Sequence, residues 1–169
     1  MKDLIDAILN NSFHDPFQLL GIHQDPEQPE RIFARTLQPD AREVTFICGS
    51  EEYPMLPVHE GGLYECVLER SSLSFPDLAP FDYQYRVVYK SGTTHLLNDP
   101  YRFLPILSEQ DRYLFNTGTN YSLFNLFGAQ LGMHERVNGT LFRVWAPSAT
   151  AVSVIGHFNG WDGRVHQMR

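Results

Sequence analysis

The period of the apolar positions changes once near the start of the chain, from helical to strand-like. Leu4, Ile5, Ile8 and Leu9 fall on one stripe of a short amphipathic helix over residues 2–10, ended by Asn10 and Asn11. That helix leads a segment spanning 1–14, and its stripe needs a surface to pack on. In HDPFQLLG, Asp15 can cap, Pro16 suits the first helical position and Gly21 the exit, which predicts about one turn of helix. After Gly21 the period is two. Strands are predicted over 31–37, 43–48, 63–69, 82–89 and 93–97, each rich in β-branched and aromatic residues. Alternation is clearest at Val44/Phe46/Cys48, Tyr64/Cys66/Leu68 and Tyr83/Tyr85/Val87/Tyr89, which directs one face of each strand inward. Turn signals separate them: QPDA, Gly61-Gly62, FPDLAP at 75–80, and Ser91-Gly92, the last a hairpin turn. Short antiparallel strands so spaced predict an all-β, immunoglobulin-like sandwich over 15–107.

The polar stretch 108–122 is expected to be a linker, after which the pattern restarts. RTLQPDAREVTFI from Arg35 and RVWAPSATAVSVI from Arg143 align without a gap, and FQLLG from Phe17 echoes FNLFG from Phe124. This is an internal duplication. The second unit, 123–169, offers strands only at 140–146 and 151–156 before FNGWDGRVHQMR. Two strands cannot bury both faces and leave an unpaired edge, so this unit is expected to be the incomplete start of a second sandwich, mobile or self-associating.

Composition narrows the partner. Thirteen Lys and Arg against 20 Asp and Glu give a net charge of -7 without long runs of one sign, which argues against nucleic acid and for an uncharged partner. No apolar run approaches the ~18 residues that span a bilayer, and no signal peptide is evident, so the chain is expected in the cytoplasm without membrane contact. Cys48 and Cys66, the only cysteines, sit in strand-like runs and read as buried apolar residues. The seven histidines form no His-Glu-x-x-His pattern and no i, i+4 pair, so neither metal nor cofactor is expected.

Trp145-Ala146-Pro147, Val152 to Gly156, Phe158-Asn159-Gly160-Trp161-Asp162-Gly163-Arg164, His166 and Met168-Arg169 together resemble the start of the glucan-binding sandwich that precedes the catalytic barrel of glycogen branching enzymes. DPFQLLGIH and NDPYRF resemble the extra amino-terminal sandwich of the longer bacterial enzymes. His157 stands where that family usually has aspartate, and Gln167 where it has proline. The resemblance implies a glycogen or starch-like α-glucan as partner. It also implies a parent reaction that cuts an α-1,4 chain through a glycosyl-enzyme intermediate and rejoins it as an α-1,6 branch. The carboxylates for that chemistry belong to a barrel whose motifs match no position here, so no catalytic residue is assigned. A free-standing glucan-binding or structural module, and a fragment of a debranching-type relative, are the other readings.

Trp161 is the first candidate for glucan contact, since an indole on an Asn-Gly/Asp-Gly turn presents a flat face to the C–H face of a glucose ring. Asn159 and Asp162 could add hydrogen bonds to sugar hydroxyls, or could instead satisfy their own turn backbone. Trp145 is expected in a core or interface. Asp15 and Asp99 are expected to serve turns or caps.

Overall fold

A computed structural model of the chain describes residues 2–72, 82–103 and 106–169. The FPDLAP turn lies outside them. The described residues group into two compact units, Met1–Arg102 with Thr150–Arg169, and Phe103–Ala149.

In the first unit, helix α1 (Lys2–Leu9) is followed by a 3-10 turn at Pro16–Gln18 and eight strands: β1 (Gly21–Gln24), β2 (Arg31–Leu37), β3 (Ala41–Cys48), β4 (Glu51–Pro54), β5 (Leu56–His59), β6 (Leu63–Glu69), β7 (Tyr83–Tyr89) and β8 (Thr94–Asn98). They form two antiparallel four-stranded sheets, ordered β1-β2-β6-β5 and β4-β3-β7-β8. The predicted alternation is what packs them face to face. Ile32, Ala34, Tyr64, Cys66 and Leu68 from one sheet meet Val44, Phe46, Cys48, Tyr83, Tyr85 and Val87 from the other. Phe46 lies 5.1 Å from Tyr83 and 6.0 Å from Tyr85 between ring centroids, so aromatic contacts fill the centre. Burial pushes the thiols of Cys48 and Cys66 up to about 11 and about 12, as suits inert core residues.

The leading stripe closes one end of the sandwich, where Ile8 is buried with Leu19, Leu20, Leu37, Leu63 and Tyr101. There the chain turns through Gly62 at φ +91°, where an added Cβ would stand 2.4 Å from Pro39 Cα. Only glycine fits both demands. Asp15 precedes its 3-10 turn without donating or accepting a side-chain cap bond, contrary to the capping expectation. Strands β1, β4 and β5 stand outside the predicted set: each has four residues, and Glu51 and Glu52 in β4 and Pro57 in β5 mask the strand signal. Edges tolerate this, because one side of each needs no partner.

In the second unit, the expected linker contains helix α2 (Glu109–Asn116). Ser108 Oγ accepts from Asp111 N at 3.0 Å while Asp111 accepts from Ser108 N at 3.1 Å, a capping box that polarity alone does not reveal. A single turn, α3 (Leu123–Leu126), leads into the hairpin of β9 (Gly128–His134) and β10 (Val137–Arg143). Its two turn residues, Glu135 and Arg136, both have positive φ (46° and 66°), the geometry of a type I′ turn. Neither is a glycine or asparagine, so the sequence carries no turn signal there. Among the described residues no third strand pairs with this hairpin. Trp145 is 61% exposed rather than in a core, and packs edge-on against Phe115 at 4.9 Å.

The strand expected at 151–156 does not form. Its residues close locally instead: Val154 N donates to His166 O at 2.9 Å and Met168 N to Val152 O at 2.7 Å, around a single bridge between Ser153 and Gln167. This folded-back segment packs within the first unit, so the packing boundary falls before Thr150 and not at the start of the segment 123–169.

Candidate functional site: an aromatic turn and its cleft

A short 3-10 turn at His157–Asn159 carries the chain into Gly160 and Trp161, both at φ +63°. Two consecutive left-handed residues, one of them a tryptophan, require outside support. Asn159 supplies it. Its Oδ1 accepts from Gly156 N at 2.9 Å, and its Nδ2 donates to Val154 O at 2.9 Å and to His166 Nδ1 at 3.1 Å. Trp161 N closes the turn on Gly156 O at 2.9 Å. Asp162 accepts from Arg164 N and from its guanidinium, each at 2.9 Å, and the guanidinium holds the carboxyl below the usual carboxylate range.

Asn159 and Asp162 are thus occupied in holding the turn, and what the turn displays is apolar. Trp161 is 58% and Phe158 65% exposed, beside Ile155 and His157, with the His157 and Trp161 rings edge-to-face at 5.3 Å. The structure brings the three sequence candidates into one turn and adds Phe158, His157 and His166. Phe158 stands within the recognised motif and was legible there. His166 stands in the same motif, but its contacts with Asn159 and Phe158 are set only by the fold.

The segment is anchored from below. Tyr101 Oη donates to Val165 O at 3.4 Å and accepts from Gln167 N at 3.2 Å. Gln167 Nε2 donates to Ile8 O at 2.9 Å, and the Arg169 guanidinium lies 4.9 Å from the centroid of the Phe17 ring. Tyr101 is itself held by Asp99, which is fully buried and does more than serve a turn. Asp99 accepts from Tyr101 N at 2.9 Å, from Tyr83 Oη at 2.6 Å and from Tyr85 Oη at 3.1 Å. Burial pushes its carboxyl up to about 6, against those three hydrogen bonds and the charge of Arg102, which pull it down.

Between the aromatic turn and β8 lies a cleft of about 440 Å³. Tyr85 and Tyr101 form part of its lining, with Tyr89, His95 and Leu97 on the sandwich side and Phe158, Gly160 and His166 on the turn side. Burial lowers the pKa of His166, which favours the neutral ring. Since the Asn159 amide donates to Nδ1, the ring proton sits on Nε2. Among the described residues no three His, Cys, Asp or Glu side chains gather to hold a metal ion, and no helix is long and apolar enough to cross a membrane.

Residues 1–101 match the family model for the alpha-1,4-glucan branching enzyme GlgB N-terminal domain, and residues 127–169 match carbohydrate-binding module 48 (isoamylase N-terminal domain). The chain is 40% identical over 168 residues to 1,4-alpha-glucan branching enzyme GlgB of Thermosynechococcus vestitus, covering 97% of this chain and 21% of that protein. It is 37% identical over 176 residues to the enzyme of the same name from Frankia casuarinae, covering 99% of this chain and 20% of that protein. It therefore spans about a fifth of the length of these relatives. Among solved structures, the catalytic module of the multi-modular glycogen-degrading pneumococcal virulence factor SpuA is similar with a TM-score of 0.41 and 20% identity, over 57% of this chain and 14% of that one. On the match over residues 1–101 and these relatives, the chain belongs to the family of the alpha-1,4-glucan branching enzyme GlgB N-terminal domain.

Proposed function

We propose that this chain is the non-catalytic, glucan-engaging part of a 1,4-alpha-glucan branching enzyme, and that Trp161 makes the sugar contact. The observation that carries this reading is the turn itself. A bulky indole is held outward in a left-handed conformation while the neighbouring polar side chains are tied down to keep it there. An exposed aromatic face beside few free charges suits the C–H face of a neutral sugar. Asn159 and Asp162 then serve as positioning residues, with any hydroxyl contact made through lone pairs left over from the turn.

The parent reaction, cleavage of an α-1,4-glucan and transfer to form an α-1,6 branch, would take place on carboxylates outside these residues, with this portion orienting the polysaccharide. By sequence its modules are 15–107 and 123–169, joined by 108–122, a division that the separate family matches over 1–101 and 127–169 support, while in packing residues 150–169 go with the first unit. The unpaired, buried Cys48 and Cys66 favour a reducing compartment, the cytoplasm.

Affinity electrophoresis in glycogen-containing gels tests the reading. The wild-type chain should be retarded, and Trp161→Ala should bind roughly tenfold more weakly, the loss of about 1.4 kcal/mol of stacking. Unchanged retardation of the variant rejects the role of Trp161. Absence of retardation in the wild type makes the chain a structural spacer. Purified chain should leave the iodine absorbance of amylose unchanged.

A further inference from the structure

The cleft beside β8 is separate from the Trp161 face, since Trp161 does not line it. We propose that it binds a short uncharged segment of α-glucan, about two sugar units long, as a second contact for the same polysaccharide. This rests on the glucan-binding reading above and extends it to residues of the first sandwich.

Size is the first argument. A volume of about 440 Å³ sits at the lower end of the roughly 300–1,000 Å³ usual for small-molecule sites. Charge is the second. Among the described residues no lysine or arginine lines the cleft, and of the two aspartates there Asp162 is already paired with Arg164, so a phosphate or carboxylate ligand would find no cation among them. The overall charge of -7 adds to that exclusion.

Shape and polarity supply the third. Phe158 from the turn and Tyr89 from the sandwich both contribute to the lining, and each is braced by an edge-to-face histidine, Phe158 by His166 at 5.3 Å and Tyr89 by His95 at 5.6 Å. A pyranose ring has the matching character, apolar on its C–H faces and polar at its rim. Directional groups stand around those faces. His166, for one, keeps its Nε2 proton for an acceptor. The floor is fixed beforehand by the Asp99 hydrogen bonds to Tyr85 and Tyr101, so little ordering is needed on binding.

The test is an amide NMR titration of the whole 169-residue chain with maltotriose. Saturable shifts are expected at Thr93, His95, Asn98 and Gly160, with a Kd on the order of millimolar. Phe158→Ala, at an exposed side chain, should weaken this binding about tenfold, and Thr93→Trp should abolish it by filling the rim. Trp161→Ala should leave these shifts in place. Shifts confined to residues around Trp161 would overturn the cleft proposal and leave the functional reading standing. Cleft shifts accompanied by Trp161-independent glycogen retardation would do the reverse. Inorganic phosphate should give no cleft shifts, and a stronger response to phosphate than to maltotriose would also sink the proposal.

Discussion

The side-chain amide of Gln167 donates to the main-chain carbonyl of Ile8 at 2.9 Å, joining positions 159 residues apart. Ile8 lies in the last turn of α1, and its carbonyl also accepts from Asn11 N at 3.1 Å, so the glutamine adds a second bond that ties the segment to the helix end. Gln167→Ala should lower stability by about 1–3 kcal/mol, read as a fall in the urea midpoint. It should also speed tryptic cleavage after Arg164, because the segment loses its hold on α1. An unchanged midpoint and cleavage rate would mean that the segment is held elsewhere.

Trp161 should behave oppositely. Its side chain is more than half exposed and its φ is +63°, so replacing it with asparagine, which tolerates that conformation, relieves backbone strain. Trp161→Asn is expected to leave stability unchanged within about 1 kcal/mol, or to raise it, while glycogen retardation falls. A loss of ~3–5 kcal/mol, the scale for emptying a buried aromatic site, would show a structural tryptophan instead.

Asn159→Ala separates positioning from contact. The variant removes the bonds to Gly156 N, Val154 O and His166 at once, so it should destabilise the chain by roughly 1–3 kcal/mol and weaken glycogen retention together. Reduced retention with full stability would show direct sugar contact by Asn159.

The Asp99 carboxyl gives a pH dependence of defined sign. Its folded-state pKa of about 6 lies above the ordinary carboxylate value, so the folded state binds more protons than the unfolded state between about 4 and about 6. The contribution is therefore fully present below the unfolded pKa and is lost as pH rises through 6. The stability of wild type minus that of Asp99→Asn should fall by up to roughly 3 kcal/mol across this window. A difference that is flat, or that grows with pH, would show that Asp99 stays ionised throughout.

Gly62→Ala should destabilise by about 2–4 kcal/mol, since the new Cβ meets the Pro39 backbone at a φ of +91°. Gly160→Ala tests the same left-handed cost without a clash, because nothing lies within 4 Å of its Cβ position, and it should cost less.

The sandwich was legible because its signal is periodic. Strands β2, β3, β6 and β7 each bury every second side chain, and that repeat survives in the sequence as Ile32/Ala34, Val44/Phe46, Cys66/Leu68 and Tyr83/Tyr85. The edge strands β1, β4 and β5 were not, because an edge pairs on one side only and accepts glutamate and proline. Helix α2 was hidden in a polar stretch although Ser108 and Asp111 spelled its start, since its stability comes from the cap and not from an apolar stripe. Repetition misled at 151–156, where the likeness to β3 predicted a strand. The β3 residues have β4 and β7 on either side, whereas 152–154 find only 166–168.

Local chemistry, then, was enough to determine the all-β character, the turn that carries Trp161 and the family to which the chain belongs, because alternation and turn residues act over a few positions. Tertiary structure alone decided that Asn159 spends its amide on Val154 and His166, that Asp99 is buried among tyrosines, and that residues 150–169 rest on α1 and Tyr101. Those outcomes depend on which groups distant in the chain meet once water is excluded, and no short-range pattern records that.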